Sequence, residues 1–322
     1  MRAAVYTTTG ESGVLRVEEV ATPEPGPGQV RVRLHLSGVN PTDWKTRAGI
    51  TARSIEEFQI PNQDGAGVID AVGSGVPPRR VGERVWVWFA ASGQRWGTAA
   101  EWTVVAGERA VPLPDGASFE LGASLGVPAL TAHRCLFADG PLDGQTVLVA
   151  GGAGAVGHFA IELAKRAGAR VVTTVSSAEK AELARAAGAD LVVDYRDEDA
   201  EARIRDFSPG VDRIVEVALG ANLSLDLAVA RPLAAVVCYA STGEDPVVPV
   251  RALMTKNLVL RFVILYGVPA ADLARGVADV TAALREGSLT ELPSRRFPLD
   301  EISAAHDAVE AGFVGKVLLD LA

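Results

Sequence analysis

Three glycines, Gly152, Gly154 and Gly157, carry the spacing that lets a chain turn tightly and bring its backbone against a diphosphate. They follow an apolar run, Val147-Leu148-Val149, that suits a strand buried on both faces. They precede a stretch in which Phe159, Ile161, Leu163 and Ala164 form a helical stripe, with Gly168 at the expected C-cap. Residues 170 to 175 then supply a second apolar strand. The pattern predicts strand, turn, helix, strand, with a dinucleotide's pyrophosphate on the helix N-terminus. A bare packing turn uses the same spacing, but the flanking strand and helix favour the nucleotide site.

The elements needed to position such a turn follow from the rest of the chain. Its 322 residues suggest two domains, and 48% apolar content is enough for sizeable cores. A net charge of −9 and the lack of a basic run argue against a nucleic-acid surface. The opening Met1-Arg-Ala-Ala-Val-Tyr6 reads as a strand rather than a signal peptide, and no apolar run reaches transmembrane length. Cys135 and Cys238 lie in apolar stretches and read as buried thiols, so a cytoplasmic location is expected.

Residues 1 to 110 read as short strands. Val30, Val32, Leu34 and Leu36 alternate with Arg31, Arg33 and His35 in a half-buried one, and residues 81 to 88 give another. Residues 118 to 137 look helical, with Pro128 as a break or kink. From residue 144 strands and helices alternate, which predicts a doubly wound parallel sheet. Two amphipathic helices and a closing strand from Gly315 to Asp320 form a tail that returns to the β-rich domain. A cofactor is expected in the cleft between two such halves.

Several stretches carry a family resemblance: Gly38-Val-Asn-Pro-Thr-Asp-Trp44, residues 65 to 73, Val81-Gly-Glu-Arg-Val85, residues 123 to 132, Gly154-Ala-Val-Gly157, Asp194-Tyr-Arg196, Asn222-Leu-Ser224 and Gly315-Lys316. The chain resembles the medium-chain dehydrogenase/reductase superfamily over its whole length, and within it the zinc-free quinone reductases of the zeta-crystallin type. The resemblance implies an α/β protein with a GroES-like β-rich domain (1–121 with 265–322) and a Rossmann NADP-binding domain with a doubly wound parallel sheet (122–264). It also implies NADPH-dependent reduction of quinones or conjugated carbonyl compounds. By position, Asn40 and Thr131 would approach the nicotinamide, and Ala153, Gly154, Ala155 and Val156, within the Gly152 to Gly157 turn, would meet the pyrophosphate. Ser176, Lys180 and Tyr195 would surround the ribose 2′-phosphate. Asn222, Tyr239, Ala240 and Ser241 would line the cofactor, with Ile264 and Lys316 as further carry-overs. Where relatives often carry a tyrosine this chain has Lys45, beside Trp44 and close to Arg47, which reads equally as a solvated charge.

At the positions where zinc relatives place a cysteine and a Gly-His-Glu, this chain has Asn40 and Asn62-Gln63-Asp64. Catalytic zinc needs three protein ligands, and Asp64 alone remains, so no metal is expected. None of the four histidines stands in a catalytic arrangement. Asn40, Thr42 and Lys45 are the candidate donors to a developing oxyanion. Asn40 is also a common residue before proline, and Lys45 is equally a solvated lysine. Ser176 with Lys180, and no acidic residue at the end of the second Rossmann strand, suits a 2′-phosphate and hence NADPH. Three readings stay open: an NADPH quinone reductase, an enone or alkenal double-bond reductase, and a nucleotide-binding structural or regulatory protein with little turnover. The apolar strand Leu258 to Ile264 predicts a homodimer paired edge to edge, as in relatives.

Overall fold

The computed structural model describes residues 1–51, 54–241 and 245–321. Two compact units emerge, Met1–Val127 with Glu291–Ala322, and Pro128–Thr290. In the first, β1 (Arg2–Val5), β2 (Arg16–Glu19), β3 (Gln29–Val39), α1 (Pro41–Arg47), β4 (Asp64–Val72), β5 (Arg84–Val87), β6 (Trp102–Ala106) and β7 (Ala110–Pro112) lead to α2 (Phe119–Phe137). The second holds β8 (Thr146–Ala150), α3 (Ala155–Arg166), β9 (Arg170–Val175), α4 (Ala178–Ala186), β10 (Leu191–Asp194), α5 (Ala200–Phe207) and β11 (Val211–Glu216). It continues with α6 (Leu219–Val229), β12 (Ala230–Cys238), α7 (Val250–Lys256), β13 (Val259–Phe262) and α8 (Ala270–Arg285). The chain then returns through β14 (Ser294–Pro298), α9 (Ile302–Glu310) and β15 (Lys316–Asp320).

Among the described residues the first unit has a sheet in the order β14-β15-β3-β4-β5-β7, with β6 also on β3. The alternation read in β3 is real: Val30, Val32, Leu34 and Leu36 are buried while Arg33 is exposed. β15 lies antiparallel beside β3, with Val317 opposite Val39, and β4 flanks β3 on the other side, with Asp64 opposite Gly38. These two registers bring residues about 250 positions apart in sequence to one corner of the sheet. Leu36, Ala66, Ala123 and Leu318 form a small apolar cluster there. Gly38 is required at this corner, because any Cβ would overlap the Ala123 carbonyl.

The second unit is a six-stranded parallel sheet in the order β10-β9-β8-β11-β12-β13. Its central strands read as continuous apolar runs because helices cover both faces; every residue of β8 is buried. The strand order reverses at β8 and β11, the switch point at which open α/β sheets bind ligands beyond the strands' carboxyl ends. Phe159, Ile161, Leu163 and Ala164 of α3 are all buried, as their spacing requires. Gly168 has φ 80°, and its N–H caps α3 on the Lys165 carbonyl, so the expected C-cap is in place. Cys135 and Cys238 are buried free thiols. No helix among the described residues is long and apolar enough to cross a membrane.

Two expectations need correction. Residues 265–290 belong with the second unit rather than the β-rich one, because α8 is tied to α2 there. Arg134 Nη1 donates to Asp272 at 2.8 Å and His133 pairs with Asp279 at 2.7 Å. At the other boundary, residues 122–127 belong with the first unit, where Asp64 accepts the Val127 N–H at 2.9 and 3.0 Å. The stretch Leu258 to Ile264 forms only a four-residue strand, Val259–Phe262, before the chain turns into a 3-10 segment at Leu265–Gly267.

Candidate active site

The parallel sheet gathers most of the expected cofactor residues by one geometric rule. Gly152 follows β8, Ser176 follows β9, Tyr195 follows β10, and Tyr239, Ala240 and Ser241 follow β12, all at the carboxyl edge. Asn222 lies in the first turns of α6, which follows β11. The three glycines then separate by role. A Cβ on Gly152 would overlap Thr173 Oγ1, and one on Gly157 would overlap the Gly151 carbonyl, so both are needed for packing the helix against its strand. A Cβ on Gly154 meets nothing closer than 3.5 Å, and Gly154 is exposed. No protein atom requires that position to be bare, and it caps α3, whose first N–H groups face outward without helical partners. The turn, flanked by Ala153, Ala155 and Val156, is thus open backbone at a helix N-terminus, the kind of place where an anion can be received.

At the end of β9, Lys180 Nζ donates to Ser176 Oγ at 2.9 Å, and Ser177 caps α4 by accepting the Lys180 N–H at 3.3 Å. The ammonium is thus held over the strand end by a hydroxyl rather than neutralised by a carboxylate. Tyr195 is exposed beside it. A hollow of about 180 Å³ adjoins this edge, lined by Ser177, Arg185, Asp194 and Arg203 among others. Asn222 has a job that its sequence context did not reveal: its amide donates to Glu216 Oε1 and Oε2 at 3.0 and 3.2 Å. Glu216 also accepts the Ala218 N–H, and the Asp226 carboxyl is buried nearby. Burial, and then the Glu216 charge, push the Asp226 carboxyl up to about 9. Ile264, largely exposed, follows β13 at the same edge, whereas Thr131 is buried within α2 and does not follow the strand-end rule.

The N-terminal unit holds the other candidates. Asn40 follows β3 directly and is the N-cap of α1; Pro41 occupies the first helical position, and Asp43 Oδ2 accepts the Asn40 N–H at 2.7 Å. The Asn40 side chain is fixed at both ends. Its Oδ1 accepts from Lys316 Nζ at 2.6 Å and its Nδ2 donates to Asp64 Oδ2 at 2.7 Å. Lys316, expected at the cofactor, is 2% exposed and directs its ammonium at Asn40 instead. Asp43, Asp64, Asn40 and Lys316 are all buried. Burial, with the Asp64 charge, pushes the Asp43 carboxyl up to about 8. Burial pushes Asp64 up to about 6 against the pull of Lys316. Sequence reasoning noticed Asp64 only as a stranded metal ligand and missed Asp43; its N3 position after an Asn-Pro pair was the available signal.

Thr42 and Lys45 sit half-buried on α1, and Lys45 Nζ folds over the Trp44 ring at 5.8 Å. Arg47 is not a solvated charge: it is 1% exposed and pairs with Glu310 at 3.0 Å. His306 reaches Asn62 Oδ1 at 3.1 Å, Asn62 donates to Ser37 Oγ at 3.0 Å, and Thr98 Oγ1, hydrogen-bonded to Ser37, donates to the Asp64 carbonyl at 2.6 Å. The Asn62 and Asp64 side chains are therefore committed to internal bonds, while the buried Gln63 amide oxygen has no partner among the described residues.

This donor set does not fit zinc. Asn40 and Gln63 are neutral amides, both Asp64 oxygens are taken, and an ammonium already holds the amide oxygen. Among the described residues no three His, Cys, Asp or Glu side chains gather as a metal site.

The buried Asp43 sets a pH dependence. Its folded-state pKa lies above the unfolded value near 3.9, so the folded state holds an extra proton between about pH 4 and pH 8. Stability from this group is full below about pH 4 and is lost as pH rises through about 8, by up to about 1.4 kcal/mol per pH unit. Thermal unfolding midpoints measured from pH 4 to 8 should fall for the wild type relative to Asp43→Asn; parallel curves would refute the assignment.

The comparisons with known proteins agree with this architecture. Residues 26–115 match the alcohol dehydrogenase GroES-like domain, and residues 155–282 match the zinc-binding dehydrogenase family. The quinone oxidoreductase of Rattus norvegicus is 30% identical over 325 residues, covering 99% of this chain and 97% of the relative. A mycobacterial protein solved with NADPH superposes with a TM-score of 0.86 at 31% identity, covering 99% of each chain. A structure described as an NAD-dependent alcohol dehydrogenase superposes with a TM-score of 0.92 at 27% identity over the full length of both chains. With its GroES-like unit, its Rossmann unit and a full-length match to a quinone oxidoreductase, the chain belongs to the medium-chain dehydrogenase/reductase superfamily.

Proposed function

We propose that the protein is an NADPH-dependent, zinc-independent quinone oxidoreductase, acting in the cytoplasm on small quinones and more weakly on conjugated carbonyl compounds. The observation that carries the reading is that Asn40 and Asp64, at positions compared with the metal-site residues of zinc relatives, are bonded to each other and, through Asn40, to Lys316. An alcohol needs its hydroxyl acidified before it can give up hydride, and zinc does this as a Lewis acid. A quinone needs no such activation, because it is already an acceptor. The superfamily and the quinone oxidoreductase relatives support the same class.

NADPH supplies the hydride. The residues of this chain bind, orient and donate. Gly152 to Gly157 offer bare backbone and helix N–H groups to the pyrophosphate, and Ser176, Lys180 and Tyr195 receive the 2′-phosphate. Asn40, Thr42 and Lys45 are the donors that face charge developing on a substrate oxygen, and Trp44 offers a flat surface on which a planar ring can stack. The strand end after β9 is Val175-Ser176-Ser177, with no carboxylate to grip a ribose 2′-hydroxyl or to repel a phosphate.

The exposed edge strand β13 supports a homodimer. Val259, Phe262 and Ile264 are 42%, 66% and 71% exposed, an apolar edge whose unpaired backbone suits a second copy of the same strand. Light scattering at micromolar concentration should return twice the mass of one chain; a monomer mass would remove this part of the proposal.

Cofactor choice is read by titration. NADPH should bind more tightly than NADH, and Lys180→Ala should weaken NADPH by roughly tenfold, the scale of one charge-assisted contact, while leaving NADH nearly unchanged. Equal affinity of the wild type for both would count against the 2′-phosphate site.

The reaction is tested with a panel of quinones, enones and primary alcohols, after dialysis against a chelator. Quinones should oxidise NADPH fastest, enones more slowly, and alcohols should not reduce NADP. Alcohol oxidation restored by zinc, or inertness toward the whole panel, would overturn the reading; the latter would favour a nucleotide-binding protein with little turnover.

A further inference from the structure

We propose that Lys316 and Asp64 are positioning residues that act through Asn40, locking its amide in one of two orientations so that a single Nδ2 proton is left to donate. The argument is one of donors and acceptors. An asparagine amide can turn by 180° about its last bond with almost no change of shape, so orientation is fixed only by its partners. An ammonium can only donate and a carboxylate, when ionised, can only accept. Lys316 Nζ lies 2.6 Å from Oδ1 and Asp64 Oδ2 lies 2.7 Å from Nδ2, so a flipped amide would set donor against donor and acceptor against acceptor. With one Nδ2 proton spent on Asp64, exactly one amide donor is unassigned.

The lock is itself anchored. Asp64 Oδ1 and Oδ2 accept the Val127 N–H at 3.0 and 2.9 Å. The bare Cα of Gly126 admits the carboxylate, because a Cβ there would overlap Asp64 Oδ1. Pro128 follows, and it has no N–H of its own to offer. The backbone of Asn40 is held separately by Asp43. Lys316 enters from β15 because Val317 pairs with Val39, which places the lysine across from the end of β3. Positioning to within a fraction of an ångström matters because a misplacement of about 1 Å costs roughly a hundredfold in rate.

The inference rests on the reading that Asn40 donates during hydride transfer, and the experiment separates the two. Asparagine-labelled protein gives the exchange of the Asn40 Nδ2 protons by NMR, with no substrate present. One proton should be protected in the wild type, and Lys316→Met and Asp64→Asn should each speed its exchange at least tenfold. Lys316→Arg, which keeps a donor, should restore protection. Unchanged exchange in both variants would overturn the lock whatever the enzyme reduces. Stopped-flow oxidation of NADPH by a quinone then tests the link to chemistry. Lys316→Met should slow hydride transfer ten- to a hundredfold in the wild type, with NADPH affinity unchanged, and should have no further effect in Asn40→Ala. An equal additional loss in the Asn40→Ala background would show that Lys316 acts by another route and overturn the proposal. If exchange responds as expected but Asn40→Ala turns over like the wild type, the lock stands as a geometric feature and the catalytic role of Asn40 is overturned. Melting temperatures of all variants are recorded, and Lys316→Arg and Asp64→Asn serve where Lys316→Met fails to fold.

Discussion

A charge taken out of water must be met by another, and the N-terminal unit is arranged around that requirement at Lys316. An isolated ammonium at 2% exposure would cost several kcal/mol. The chain answers with two carboxylates, Asp43 and Asp64, and an amide between them, Asn40. With Asp43 holding its proton up to about pH 8, the ammonium is balanced by Asp64, and removing either of that pair leaves the other uncompensated. The same atoms explain why helix α1 starts where it does, why β15 must lie in register beside β3, and why Gly126 has no side chain.

The second unit depends on a different constraint, the closeness of helix to strand. Gly152 and Gly157 let α3 sit against β8 and β9, and that closeness aims the first N–H groups of α3 at the carboxyl edge of the sheet. Gly154 then stands out as the glycine that no neighbouring atom demands. The second buried acid pair, Glu216 with Asp226, ties the start of α6 to the end of β11 through Ala218 and Asn222. Both units therefore solve the placement of a loop at a strand end by burying carboxyl groups beneath it.

The Rossmann half was largely legible because its signals are local: apolar runs, one helical stripe and glycines within about thirty residues. The strand-end position of Ser176 followed from the same regularity, while Tyr195 and Tyr239 came from the family resemblance. Harder to read were features created by pairing distant segments. Lys316 looked like a cofactor contact because its neighbours in sequence carry the resemblance, while its partner is set by the β3–β15 register. Arg47 looked solvated because a seven-residue helix does not reveal which face is covered, and Glu310 comes from α9. Asp43 was passed over, although its place three residues after Asn40 marks a capping box, and nothing local announces that Asp64 and Lys316 lie beside it. The unit boundaries at Val127 and Thr290 were missed for a like reason, since Asp64 claims one side and the ties between α2 and α8 claim the other.

The placement of β15 has a consequence for how the chain is made. Its partner β3 emerges early in synthesis, and β15 emerges nearly three hundred residues later, yet the sheet runs β14-β15-β3. Until β15 arrives, β3 keeps one edge open over Leu36 to Val39, and Asp43 and Asp64 lack their cation. The stretch 128–290 is continuous and has every strand of its own sheet at hand well before then. During translation the second unit is thus complete while the first waits, with long-range pairing as its slow step. The residue that closes that wait, Lys316, is the same one that neutralises the buried acids, so maturation of the sheet and assembly of the charge cluster are one event.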